Sequence, residues 1–133
     1  MPSEPSFIDR ATIERIHTRS LELHGGIHGV RDESLVESAL GAAMNDFYYG
    51  NGDVFDIAAA YAFHLAQNQA YLDGNKRTAA ATALAFLAHN GYSRVASEAE
   101  QLDIYDALIA IAERRMTKPE LSALFRRLFS STK

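Results

Sequence analysis

The chain predicts an all-α fold, a compact single-domain bundle of about six helices around a central apolar helix. Two observations carry this. Apolar residues recur at helical spacing in segment after segment. Almost every such segment opens on a residue able to cap a helix, and two open on full capping boxes.

The elements follow in order. Asp9 can cap a first helix carrying Ile13, Ile16, Leu21 and Leu23, closed by Gly25-Gly26. Asp32 can cap a second, with Leu35, Val36, Ala39, Leu40 and Ala43 at helical spacing. The segment from Asn45 to Asp53 reads as a loop with three aromatics, Phe47, Tyr48 and Tyr49. Such aromatics either form a binding surface or fold back as a lid on the core, and the sequence leaves both open. A third helix runs from about Asp53 to Asn68, its alanines 58, 59, 60 and 62 permitting close approach. A fourth, apolar nearly all round from Ala79 to Ala88, has the character of a central helix and stops at Gly91. Ser97-Glu98-Ala99-Glu100 opens a fifth with Leu102, Ile104, Tyr105, Leu108 and Ile109. Thr117-Lys118-Pro119-Glu120 opens the last, with Leu121, Leu124, Phe125 and Leu128. Arg126, Arg127 and Lys133 suit its negative dipole end and read as a solvated face.

Length and composition narrow the classes. With 133 residues and 47% apolar content, the chain makes one domain, 1–133, with a sizeable core. Residues 1–8 read as a loosely ordered N-terminal extension. A net charge of -4 argues against a general nucleic-acid binder. The absence of cysteine excludes disulfides and thiolate metal sites, and fits a reducing cytoplasm. The first residues lack the basic and apolar regions of a signal peptide. The run from Ala79 to Ala88 is too short to span a bilayer, so no membrane association is expected.

The chemistry concentrates in Asp73-Gly74-Asn75-Lys76-Arg77-Thr78, immediately before the fourth helix. A helix start has free backbone N–H groups and a positive dipole end, which suits an anion. Gly74 lets the backbone approach a phosphate closely. Asn75 can bond phosphate oxygens, Lys76 adds a point charge, and Arg77 can grip two oxygens. Asp73 can take one place on a Mg²⁺ ion that bridges phosphates. The plain alternative is a helix with an ordinary polar start.

The surrounding residues resemble the Doc (death-on-curing) branch of the Fic family. Its helix ending Tyr-Ala-Phe-His-Leu-Ala-x-Asn matches the stretch from Tyr61 to Asn68, and its Asp-Gly-Asn-Lys-Arg-Thr-Ala matches Asp73 to Ala79. The block from His24 to Asp32, with Ser34 to Leu40, resembles the family's N-terminal loop and second helix, and Phe86 to Tyr92 matches as well. The likeness covers nearly the whole chain in fixed order and spacing. It implies a bacterial, cytoplasmic toxin of a toxin–antitoxin module that uses ATP and Mg²⁺ to phosphorylate a threonine of elongation factor Tu and stop translation. It further implies neutralisation by an antitoxin whose C-terminal segment binds as a helix in a groove. Most Fic proteins instead transfer a nucleotide monophosphate. Lys76, where those carry Gly, points to the Doc branch.

One departure bears on activity. The family's catalytic His corresponds to Gln69, its Pro to Ala70 and its Phe to Tyr71. Gln69 cannot accept a proton at neutral pH, although its amide oxygen can orient a hydroxyl. Three readings stay open: a variant of weak or altered activity, a binding pseudo-enzyme, or an engineered inactive toxin. The changes at Ala70 and Tyr71 weigh against a single engineered substitution. His64 does not replace the missing base. Five residues at about 100° each place it on another helix face, where it reads as structural. His24 and His28 sit in a Gly-rich loop that is not helical, so a metal pair is disfavoured and a structural loop anchored by Arg31-Asp32 is expected. His17 and His89 read as ordinary helix positions.

Overall fold

A computed structural model describes residues 3–130. It contains six helices: α1 Arg10–His24, α2 Glu33–Tyr48, α3 Val54–Asn68, α4 Asn75–His89, α5 Glu98–Ala112 and α6 Lys118–Phe129. The only pairing of strand type among the described residues is an isolated bridge between Val30 and Tyr71. The all-α class is as expected. Lys133 lies outside the described residues.

The four expected caps are in place, and Asp53 adds a fifth. Asp9 accepts a bond from the Thr12 amide, Asp32 from Ser34 and Asp53 from Asp56. Ser97 with Glu100, and Thr117 with Glu120, close reciprocal capping boxes. Arg94 pairs with Glu100 at 2.7 Å and also donates to the Leu128 carbonyl, tying the start of α5 to the end of α6. That pairing draws the Glu100 carboxyl down to about 2.

The helix at the centre is α3 rather than α4. It packs against α2, α4, α5 and α6. Its alanines 58, 59, 60, 62 and 66 are all fully buried, which lets its neighbours approach closely. α4 lies between α3, α1 and α5. Its Ala81 and Ala88 reach the surface, so its apolar circumference is only partly covered.

Three expectations need correction. Asn45 to Tyr48 are the last turn of α2 rather than loop. Phe47 explains this, because its ring meets Phe7 edge-on at 6.1 Å and docks on the core. Of the three aromatics, then, Phe47 folds inward, Tyr48 bonds Glu4, and Tyr49 is exposed. Secondly, the segment before α1 is not loose over its whole length. Ile8 is buried, and its amide and carbonyl both bond the Tyr61 hydroxyl, at 2.9 and 3.1 Å. Burial pushes that hydroxyl up to about 12. Asn90 likewise bonds the Ser6 backbone through both amide atoms. Thirdly, Arg126 is not part of a purely solvated face. It pairs with Asp53 at 2.9 Å and Asp56 at 3.4 Å, joining α6 to the start of α3, and lies over the Phe55 ring.

Asp53 therefore serves the central helix twice, as cap and as Arg126 partner. Asp53→Ala is expected to cost about 1–2 kcal/mol of stability, read by urea denaturation. A change below about 0.5 kcal/mol, the range of ordinary surface substitutions, would contradict this role.

Candidate active site

α4 starts where α3 ends, after a turn of six residues, 69–74. Gly74 is its N-cap, at φ +78°, a left-handed conformation that favours glycine. A Cβ there would also meet Leu21 at 3.3 Å. No side chain caps α4, whereas Asp9, Asp32, Asp53, Ser97 and Thr117 cap the other five helices. The first-turn amides of α4 thus point at a place where no protein carboxylate or hydroxyl bonds them.

Asn75 locks the turn. Its side-chain oxygen accepts from the Tyr71 amide at 3.0 Å and its nitrogen donates to the Tyr71 carbonyl at 2.9 Å. The expected amide–phosphate bond would fall to the second Nδ2 hydrogen, since the first is engaged in holding the loop. Asp73 is exposed and oriented from several sides. One carboxylate oxygen accepts from the Ile27 amide at 3.2 Å and the other from the Gly74 amide at 3.0 Å. The Asp73 carbonyl lies 2.8 Å from His17 Nε2. Thr78 is buried in the core beneath.

The two cations are uncommitted. Lys76 is half-buried and forms no ion pair with a described residue. Arg77 is exposed and rests over the Tyr105 ring of α5, 5.6 Å from its centroid. Arg77 and His24 both line two grooves that flank α4. The groove between α1 and α4, of about 350 Å³, also presents Arg15 and Arg19. The groove between α4 and α5, of about 670 Å³, presents Leu84, Leu102 and Tyr105. A protein of net charge -4 therefore gathers Arg15, Arg19 and Arg77 along one groove beside the start of α4.

Gln69 ends α3 in a left-handed conformation, φ 50° and ψ 54°. Arg31 fixes it there, donating to the Gln69 carbonyl at 2.8 and 2.5 Å and to the Asn68 carbonyl at 2.7 Å. The backbone of the 25–32 loop runs beside the turn, with the Arg31 amide on the Ala70 carbonyl and the Leu72 amide on the Gly29 carbonyl. Arg31 thus anchors this loop as expected, while Asp32 turns to cap α2. At Gly26 (φ +128°) a Cβ would meet Asp73 Oδ2 at 3.1 Å, so only glycine lets the loop pass the carboxylate.

The other histidines divide. His24 and His28 are exposed, and no group of three or more His, Cys, Asp or Glu among the described residues could hold a metal. His64 lies away from the turn, on the α3–α6 side, with its Nε2 3.3 Å from Lys118 Nζ. Burial and that ammonium press His64 down from 6.5 to about 4. It is structural, as expected. Between pH 6.5 and 4 the unfolded chain holds a proton here that the folded chain does not, so stability falls as pH falls through that window. Acidification from pH 7 to 5 is expected to cost on the order of 1–2 kcal/mol more in the wild type than in His64→Gln, read by urea denaturation at both values. Equal losses in the two proteins would contradict it.

The residue that sequence reasoning missed is His17. It was read as an ordinary helix position, yet it is buried beneath the turn and its ring stacks on Tyr71, centroids 3.7 Å apart. Its signal was the spacing Ile13, His17, Leu21, which puts it on the buried stripe of α1.

A six-helix core carrying a turn of this kind between α3 and α4 defines the protein as one of Fic-type helical fold. The family model described as Fic/DOC family matches residues 7–87, and the chain belongs to that family, in its Doc branch. The chain is 27% identical over 117 residues to a protein named Protein kinase doc from Escherichia phage P1, across 87% of this chain and 90% of that one. It is 38% identical over 87 residues to a protein named Toxin Doc from Mycolicibacterium smegmatis, across 64% of this chain and 65% of that one.

Proposed function

We propose that this protein is a Doc-type toxin that binds ATP with Mg²⁺ at the start of α4 and transfers the γ-phosphoryl group to a threonine hydroxyl of elongation factor Tu in the bacterial cytoplasm. The observation that carries the reading is the pair Lys76 and Arg77, free of carboxylate partners, at a helix start that no side chain caps. Phosphoryl transfer depends chiefly on positioning and charge neutralisation. The α4 amides, Lys76 and Arg77 supply both.

Asp73 fits Mg²⁺ in one way. It is a single exposed carboxylate, with each oxygen holding only one backbone amide. That suits an ion carried mainly by phosphates and water, and not an all-protein cage. When bound, the ion neutralises phosphate charge. In the transfer, the threonine oxygen forms its bond to the γ-phosphorus, the bond to the β–γ bridging oxygen breaks, and ADP leaves. The hydroxyl proton passes to water, because Gln69 cannot take it and only orients the hydroxyl.

The antitoxin segment is assigned to the α4 grooves. A helix with an apolar face covers Ala81, Leu84 and Leu102, and carboxylates on its flank meet Arg15, Arg19 and Arg77. Gln69 also favours a second reading, a catalytically silent module that keeps nucleotide or antitoxin binding. Incubation with labelled ATP and elongation factor Tu separates the two. Transfer above a Lys76→Ala control supports the kinase. Its absence, with binding retained, supports the silent module. An adenylyl adduct in the mass spectrum of the target would replace both with AMP transfer.

A further inference from the structure

We propose that His17 is a positioning residue, holding the Asp73–Gly74 turn from below so that the Asp73 carboxylate is presented at the start of α4. The inference rests on the nucleotide reading above and names the residue on which the carboxylate's orientation depends.

His17 lies in the middle of α1, far from the motif in sequence, with only 5% of its surface exposed. Its Nε2 stands 2.8 Å from the Asp73 carbonyl. A carbonyl only accepts, so the ring carries its proton on Nε2 and donates it there. The stacked ring of Tyr71 lies within 14° of parallel, fixing the imidazole plane. Tyr71 is held in turn by Asn75 through its backbone and by Glu14 through its hydroxyl, at 3.4 Å. α1 thus offers Glu14, His17 and Leu21 to the turn from one face.

A purely packing role does not need this residue. Leu, Met or Phe would fill the same stripe between Ile13 and Leu21 without placing a polar nitrogen in the core. The donor is aimed at the one peptide unit that joins Asp73 to the left-handed Gly74. The Asp73 carboxylate is steered by amides from the exposed 25–29 loop and from the half-buried Gly74. The bond from α1 is the one that reaches Asp73 from a packed helix. Without it the 73–74 peptide can rotate about the glycine, and the Gly74 amide that holds one carboxylate oxygen turns away with it. Partners that orient a ligating group typically change metal affinity on the order of 10–100-fold when removed.

The test is calorimetric titration of a non-hydrolysable ATP analogue at a series of Mg²⁺ concentrations. It uses the wild type, His17→Phe, His17→Met, His17→Gln and Asp73→Asn. The Phe and Met variants lack the donor, and whichever folds decides. Gln keeps an N–H. The Phe and Met variants are expected to need on the order of tenfold more Mg²⁺ for half-maximal tightening, with binding in the absence of Mg²⁺ unchanged. The Gln variant should recover most of the difference. Amide exchange at Gly74 and Asn75 should be faster in the donor-less variants before any nucleotide is added. Lowered melting temperatures with wild-type Mg²⁺ dependence, while Asp73→Asn loses that dependence, would overturn the role of His17 alone. A wild type that shows no Mg²⁺-dependent binding would instead overturn the nucleotide reading, and this inference with it.

Discussion

Gln69→His is expected to raise the rate of phosphoryl transfer by about 10²–10⁴-fold, the usual contribution of a well-placed general base. The site is ready to receive it. Position 69 is exposed and its side chain bonds no described residue, so nothing is lost by exchanging it. Its backbone is held at φ 50° by three bonds from Arg31 to the last carbonyls of α3. Histidine tolerates this conformation better than most residues. The imidazole would therefore sit at the mouth of the turn with no rebuilding of the loop. Single-turnover transfer across pH checks the expectation, since the gain should grow as the imidazole loses its proton, around pH 6.5. Nucleotide affinity should stay the same. A variant that binds nucleotide normally but transfers no faster would show that proton removal does not limit this protein.

Arg77→Ala is expected to lower transfer by about 10²–10³-fold, as removal of one preorganised charge-stabilising group does. The fold should survive. Arg77 is exposed, pairs with no carboxylate of a described residue and rests over the Tyr105 ring. Stability should change by no more than about 0.5 kcal/mol. Arg77→Lys should recover little, because a point charge does not reproduce a two-oxygen grip. The same substitution should weaken an acidic antitoxin helix, since Arg77 lines both α4 grooves. Loss of transfer with a parallel loss of stability would contradict a direct role. Unchanged transfer and binding would remove Arg77 from the site.

Much of the architecture could be read in the chain because helix starts are written locally. Asp9, Asp32, Ser97 and Thr117 each cap the helix assigned to them. What escaped depends on contacts distant in sequence. α2 gains a turn because Phe47 finds Phe7. Residues 6–8 are fixed by Asn90 and Tyr61. Arg126 finds Asp53 across more than half of the chain. α4 has the more conspicuous apolar run, yet α3 is the centre, because its fully buried alanines admit neighbours on every side. Within the site, two contacts were not legible in the chain. Asn75 holds the Tyr71 backbone, a job visible only once the turn closes. His17 belongs to the site only because α1 packs beneath α4.

The most direct measurement is calorimetry of Mg-ATP against the wild type and a Lys76→Ala/Arg77→Ala double variant. A saturable one-site heat with the wild type, absent from a double variant that remains folded, is the predicted result. No heat with the wild type, or the same isotherm from both proteins, would contradict a triphosphate site at the start of α4.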